Sequence, residues 1–197
     1  MMDRTPPFQA LYRLDCCGRR NMVVSLRAGD GGVLVGVTVP PGGVALEVWS
    51  APIDSAMLDR RAGCRLPLPP GVLPLASGQL LPVPPQVLAG LLAGRLPVDA
   101  RSLDRRPGWV AWRGDAVWLQ ALVTGPPPRI ERVELRRPGE MSTTVEFQVN
   151  SHQGRLPSRC VLQAEGERMT LTLQSWRMAA APEPPDWLAA PLCREAP

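Results

Sequence analysis

Few side chains in this sequence are of a type that carries chemistry: one histidine, five cysteines and a scatter of carboxylates in 197 residues. His152 falls in Asn150-Ser-His-Gln-Gly. It has no acid or nucleophile beside it and reads as a solvated turn histidine. The cysteines, at 16, 17, 64, 160 and 193, form no Cys-x-x-Cys. With a single His they do not make the ligand sets that zinc takes, and thiol catalysis is poorly supported. An odd count leaves at least one thiol unpaired in an oxidising compartment. Cys16 and Cys17 would point to opposite faces of a strand and make poor partners for each other, whereas a bridge between Cys64 and Cys160 stays open. Glu165 and Glu167 flank Gly166 at a hairpin tip, where both are exposed. There is no Gly-x-Ser-x-Gly, P-loop or dinucleotide fingerprint. The residues point away from an enzyme, and no cofactor or metal is expected.

The remaining question is what scaffold such a chain builds. Its length suits one domain over 1–197, with enough chain to bury a core. Twenty-four Pro and 18 Gly are too many for a helical bundle but suit short strands joined by turns. All 22 basic residues are Arg, and the net charge is +4. These arginines are dispersed. With no basic recognition helix or zinc finger, nucleic acid is not an expected partner. The N-terminal stretch MMDRTPPFQALYRLDCCGRR lacks the basic flank and continuous apolar run of an export signal. Either the chain stays inside the cell, or its leader lies outside this sequence.

The apolar centre is Gly78–Pro97, uncharged until Arg95. Pro84 and Pro85 suit a helix entry, and Val87, Leu88, Leu91 and Leu92 recur at the spacing of one helical stripe. Gly90 and Gly94 loosen and then stop the helix, and Pro97 forbids its continuation. A helix of about ten residues is too short to cross a bilayer. Its stripe must lie against protein or against something the protein carries; core packing is the commoner use.

Around it the sequence reads as strands. Met22–Ala28, Val33–Val39 and Val44–Trp49, separated by Gly-rich turns, make an antiparallel meander. Phe8–Leu14 is a brief helix or an entry strand. Residues 51–77 read mostly as loop, with a helical turn at Asp54–Arg61 and a short strand before Ser77. Trp109 to Val123 forms a hairpin around Arg113-Gly-Asp-Ala, and its three Trp residues suit either a ligand cavity or an ordinary core. Segments from Arg129, Thr143, Leu156 and Met169 follow, two of them cleanly alternating: Val145, Phe147, Val149 on one side, then Met169, Leu171, Leu173. The Ala/Pro-rich tail from about 179 reads as loose except where Trp187 docks. Nine to eleven strands and one main helix give a mainly β fold (α+β), a strongly curved antiparallel sheet or half-open β-barrel capped by short helices.

Three stretches, taken in order, resemble the LolB family of outer-membrane lipoprotein receptors and, more broadly, the LolA/LolB-like fold. They are Val39-Pro-Pro-Gly-Gly-Val-Ala-Leu-Glu-Val48; Leu80-Leu-Pro-Val-Pro with Val87-Leu88 through Leu91-Leu-Ala-Gly-Arg-Leu-Pro97; and Pro157–Ala164 followed by Arg168–Trp176. The resemblance spans roughly residues 20–178 and rests on their order. It implies non-enzymatic binding of lipoprotein acyl chains in an apolar cavity and transfer to the outer membrane from its periplasmic side. Acylated lipoproteins, a LolA-like periplasmic carrier and the outer-membrane lipid surface would be the partners.

The cavity residues expected on this reading are Val48, Trp49, Leu81, Val87, Leu88, Leu91, Leu92, Trp118, Phe147, Leu171 and Leu173, and Pro40, Pro41 and Gly42 form the membrane-insertion loop. Pro41, apolar but short, stands where the family has a bulky apolar residue. Location follows from the resemblance, because neither a leader nor an anchoring Cys is visible. A carrier should hold a pocket of several hundred cubic ångströms. The alternative is a structural or protein-interaction β-domain with a filled core and no lipid ligand.

Overall fold

Alternating apolar residues between Gly- and Pro-rich turns fold here as one long succession of antiparallel strands. The computed structural model describes residues 6–16, 18–29, 31–41, 43–51, 54–60, 62–69, 71–74, 80–81, 83–97, 100–102, 106–115, 117–139, 145–154, 156–164 and 166–193. In chain order the strands are β1 (Phe8–Cys16), β2 (Arg19–Gly29), β3 (Gly32–Val39), β4 (Gly43–Ser50), β5 (Ser55–Asp59), β6 (Cys64–Pro67), β7 (Leu73–Pro74) and β8 (Leu80–Leu81). After helix α1 (Pro85–Leu92) come β9 (Arg101–Ser102), β10 (Trp109–Arg113), β11 (Trp118–Thr124), β12 (Arg129–Arg136), β13 (Val145–Gln153), β14 (Leu156–Ala164) and β15 (Glu167–Met178). Thirteen of them form a single sheet in the order β6-β5-β4-β3-β2-β1-β15-β14-β13-β12-β11-β10-β9, while β7 and β8 pair separately. No described helix is long and apolar enough to cross a membrane.

The order is that of two meanders, β1 to β6 and β9 to β15, fused where β1 lies against β15. Their register runs from Phe8 opposite Met178 to Cys16 opposite Met169. Phe8–Leu14 is therefore a central strand and not a helix. The 51–77 stretch, read mostly as loop, supplies β5 and β6 instead. Pro67 ends β6 close to the sheet edge, the position where a strand tolerates proline.

One face of the sheet is dry. Phe8, Ala10, Tyr12 and Leu14 of β1, Met22, Leu26 and Ala28 of β2, and Val33, Val35 and Val37 of β3 are all buried and belong to one core cluster. Leu119 and Ala121 of β11, Val133 and Leu135 of β12, and Val145 and Phe147 of β13 join the same cluster. α1 completes it. Pro84 is its N-cap and Pro85 its first helical residue, as the proline pair predicts. Gly94, at φ +68°, ends it: the Gly94 N–H bonds to the Leu91 carbonyl and the Arg95 N–H to that of Gly90, a Schellman closure that needs the left-handed residue. Leu88, Ala89, Leu91 and Leu92 are buried beneath the helix.

The Ala/Pro-rich tail is not loose in the structure; it crosses the opposite face of the sheet and is fastened there. Ala181 and Pro182 pack on Gly29, where an added Cβ would meet the alanine's own at 3.0 Å. A 3-10 turn at Asp186–Ala189 packs on β5 and β6. Arg65 then bridges to Leu192, with its N–H on the Pro191 carbonyl and its carbonyl accepting from the Cys193 N–H. Cys64 is disulfide-bonded to Cys193, not to Cys160. Cys16 is also in a disulfide; the expectation for its pairing with Cys17 lies outside the described residues.

Because the Cys64–Cys193 bridge closes a loop of 129 residues, chain entropy assigns it up to about 5 kcal/mol. Replacing both cysteines with serine is expected to lower Tm by about 5–15 °C, since about 2–5 kcal/mol is the usual cost of losing a native bridge and a chain of this size shifts by a few degrees per kcal/mol. Calorimetry of the double variant checks this, and an unchanged Tm would mean the tail adds nothing to the fold.

Candidate apolar binding cleft

Beneath α1 the dry face does not close completely. A cleft of about 80 Å³ remains, lined only by apolar atoms. Tyr12 and Leu14 of β1, Val24 and Leu26 of β2, Val35 and Val37 of β3, and Leu162, Met169 and Leu171 of β14 and β15 form its floor. Leu88 and Leu92 of α1, with Leu73, form its roof. Side-chain hydrogen bonds tie both ends of the helix down: Gln86 Nε2 donates to the carbonyl and the hydroxyl of Ser50, each at 3.1 Å, and the Tyr12 hydroxyl donates to the Leu92 carbonyl at 3.5 Å. Such a surface excludes water from hydrocarbon.

Of the residues expected to line a cavity, the structure brings three into this cleft: Leu88, Leu92 and Leu171. Leu91, Val48 and Phe147 are buried elsewhere in the same core. Val87 and Leu173 pack half-buried against it, and the side chain of Leu81 lies outside the described residues. The two tryptophans are corrections. Trp49 follows Val48 and so points to the other face. There its ring leaves no room for a Cβ on Gly32, which would stand 2.7 Å away, and it is 2% exposed. Trp118 is likewise out of phase with buried Leu119 and Ala121. The volume is also well under the several hundred cubic ångströms expected, because the leucines of α1 sit down into the space. Pro40 and Pro41 do form an exposed turn between β3 and β4; Gly42 lies outside the described residues.

The lining that sequence reasoning missed comes mainly from β1, β2 and β3. Its signal was present as alternation: Tyr12 and Leu14, Val24 and Leu26, Val35 and Val37 are each i, i+2 pairs. Sequence alone did not show which strands α1 would cover.

The outer face of β10 to β13 is a ladder of charge and indole. Arg113 stacks over Trp118 at 4.8 Å and Arg106 over Trp109 at 3.9 Å. Glu134, nearly buried, is approached by Arg106, Arg132 and Arg136 at 3.6–3.7 Å, and Arg132 also meets Glu146 at 3.0 Å. These contacts occupy Trp109 and Trp118 on the outer face, whereas Trp112 packs half-buried against the core. His152, in β13 rather than a turn, shares a hydrogen bond with the Ile130 carbonyl at 3.0 Å. No group of three His, Cys, Asp or Glu among the described residues could hold a metal ion.

No protein-family model matches the sequence, and no curated protein does. Among solved structures, the crystal structure of LolA superfamily protein NE2245 from Nitrosomonas europaea superposes with a TM-score of 0.53 over 90% of this chain and 88% of that one, at 12% identity. The two proteins share a fold. At that identity the likeness concerns architecture. Within this shared architecture the cleft, its roof helix and its lining are properties of the present residues.

Burial sets the chemistry of the two titratable groups nearest the cleft. Tyr12 is held protonated by desolvation and, to a lesser extent, by Cys160, whose own thiol burial pushes up to about 12. Cys160 is the one free thiol among the described residues. Both acids are raised above their unfolded values. The stability they confer is therefore complete below pH 9 and is lost as pH rises from there toward 12. A maleimide at pH 7–8 is expected to label the native chain negligibly and to modify Cys160 at once in denaturant; fast labelling of the native chain would contradict the burial.

Proposed function

We propose that this protein is a non-enzymatic carrier that shields hydrocarbon chains in the cleft beneath α1. The single observation that carries the reading is a cleft with no polar surface in its lining, left open between a sheet and a short helix whose C-terminal end is held to the floor by one long hydrogen bond. Each CH₂ moved out of water into such a lining gains about 0.8 kcal/mol, so no catalytic group is needed. The resemblance drawn from the sequence implies that the chains are those of lipoproteins, received from a LolA-like periplasmic carrier and passed to the outer membrane. The Cys64–Cys193 bridge agrees with an oxidising compartment such as the periplasm.

Burial supports a sheet that curls on itself within a single domain. Nine adjacent strands, β4 to β11 in spatial order, at about 4.8 Å spacing would spread over about 38 Å if flat. Yet their inward residues share one core beneath one eight-residue helix. A volume of about 80 Å³ is too small for a whole acyl chain, so loading requires α1 to rise. Gly90 and Gly94 supply backbone freedom at that end of the helix. The same small volume is what favours the second reading, a β-domain with a filled core.

Binding decides between them. A fluorescent diacylated lipopeptide is expected to bind the wild type. Val37→Phe, which fills the cleft without adding polarity, should weaken binding by about tenfold or more, and Gln148→Ala on the outer face should leave it unchanged. Circular dichroism of each variant verifies folding. A wild type that binds no lipopeptide would leave the filled-core domain as the reading.

A further inference from the structure

The fold gathers charges that the sequence disperses. On the outer face of four adjacent central strands, β2, β1, β15 and β14, the residues out of phase with the core include Arg27, Arg13, Arg177, Arg168 and Arg159, all five exposed. Register fixes their places. Gln9 lies between Arg27 and Arg177, and Thr172 between Arg13 and Arg159. At about 4.8 Å per strand the arginines of each pair stand about 10 Å apart, and about 13 Å of strand separates the two rows. Arg168, four residues before Thr172, adds a third row. The patch is therefore about 26 Å long and about 14 Å wide.

Little of this charge is answered. Asp15 is the one carboxylate in the outward phase of these strands; it lies 3.9 Å from Arg13 and accepts from the Asn21 N–H. Arg177 donates to the Gln9 side-chain oxygen at 2.8 Å. Among the described residues, no carboxylate pairs with Arg27, Arg159 or Arg168. Five arginines against one carboxylate match the whole net charge of the chain, +4. Over β10 to β13, by contrast, Glu134 and Glu146 face Arg106, Arg132 and Arg136.

What such a surface can recognise follows from what it lacks. The outward phase of the four strands has no aromatic ring to stack on a base, and its one exposed large apolar residue is Val23. Protein partners anchor on aromatic and apolar side chains seated in pockets, and the cleft is on the other face. Charge without shape suits a layer of anions that imposes no shape of its own. We infer that this outer face docks the protein on the head groups of an anionic phospholipid bilayer, through its guanidinium groups and with no side chain entering the hydrocarbon. Guanidinium donors pair with phosphate oxygens, and the hydroxyls of Thr170 and Thr172 stand between them as further donors. The inference is independent of the carrier reading, which concerns the opposite face.

The test is cosedimentation of the full-length, disulfide-bonded chain with two kinds of vesicle: phosphatidylcholine alone, and phosphatidylcholine with about one-third phosphatidylglycerol. Binding to the mixed vesicles only is expected, weakening by about tenfold or more between about 0.05 and about 0.3 M salt. Each basic residue at an anionic surface contributes about fivefold, so Arg159→Glu, which also adds repulsion, should cost about tenfold or more. Arg101→Glu makes the same change of charge on β9, at the far edge of the sheet, and should stay within about twofold of the wild type. Circular dichroism verifies that both variants fold. Equal loss in the two variants, or binding that needs no anionic lipid, overturns the proposal. A DNA duplex held as tightly as the mixed vesicles at equal phosphate concentration overturns the lipid assignment. Lipopeptide binding by the cleft, which Val37→Phe probes separately, is untouched by any of these results.

Discussion

Pairing of β1 with β15 is the interaction on which the rest of the molecule depends. It joins residues about 160 positions apart, Phe8 to Met178 and Cys16 to Met169, and turns two separate meanders into one sheet. Neither meander buries its dry face alone. Once they are fused, Tyr12 and Leu14 from one end of the chain stand beside Met169 and Leu171 from the other, and the cleft floor exists only because they do. The cost is loop closure over most of the chain, a contact order of the kind that slows folding.

The same seam sets what the inner surface can do. The pairing slips by one residue between Leu11 and Tyr12: on one side of the slip the β15 residues facing inward are Leu171 and Leu173, and past it they are Trp176 and Met178. A single extra residue thus keeps the inner face of β15 apolar where strict alternation would bring Ser175 and Arg177 inward. On the outer face, over β10 to β13, Glu134 sits among three arginines and Trp118 lies under Arg113, so charge there is largely spent on itself.

Much of the sheet was legible because alternation is a local property. β2, β3, β4 and the strands from β10 onward follow from period-two patterning and Gly/Pro turns, and α1 with both its caps follows from two prolines and a glycine. What local pattern cannot carry was misread. Ser55–Asp59 and Cys64–Pro67 are too short and too polar to declare themselves, and become strands because β4 offers an edge to pair with. Trp49 and Trp118 drew attention as large aromatics, but their parity places them on the far face, beside Gly32 and Arg113. The cleft itself was legible only from its roof, since Leu88 and Leu92 stand on one stripe while the floor is gathered from five strands that the sequence keeps far apart.

The C-terminal stretch has an effect beyond packing on Gly29 and β5. A terminal strand of any open sheet presents bare amide and carbonyl groups to every neighbouring molecule, and natural proteins blunt such rims to avoid growing into one another. Here the chain uses a C-terminal segment of its own for that purpose, with Pro191 and Cys193 occupying the backbone of Arg65 and a covalent link keeping them there. Edge protection is thereby covalent: the bond from Cys64 to Cys193 keeps the outermost strand from offering its backbone at Arg65 to another chain.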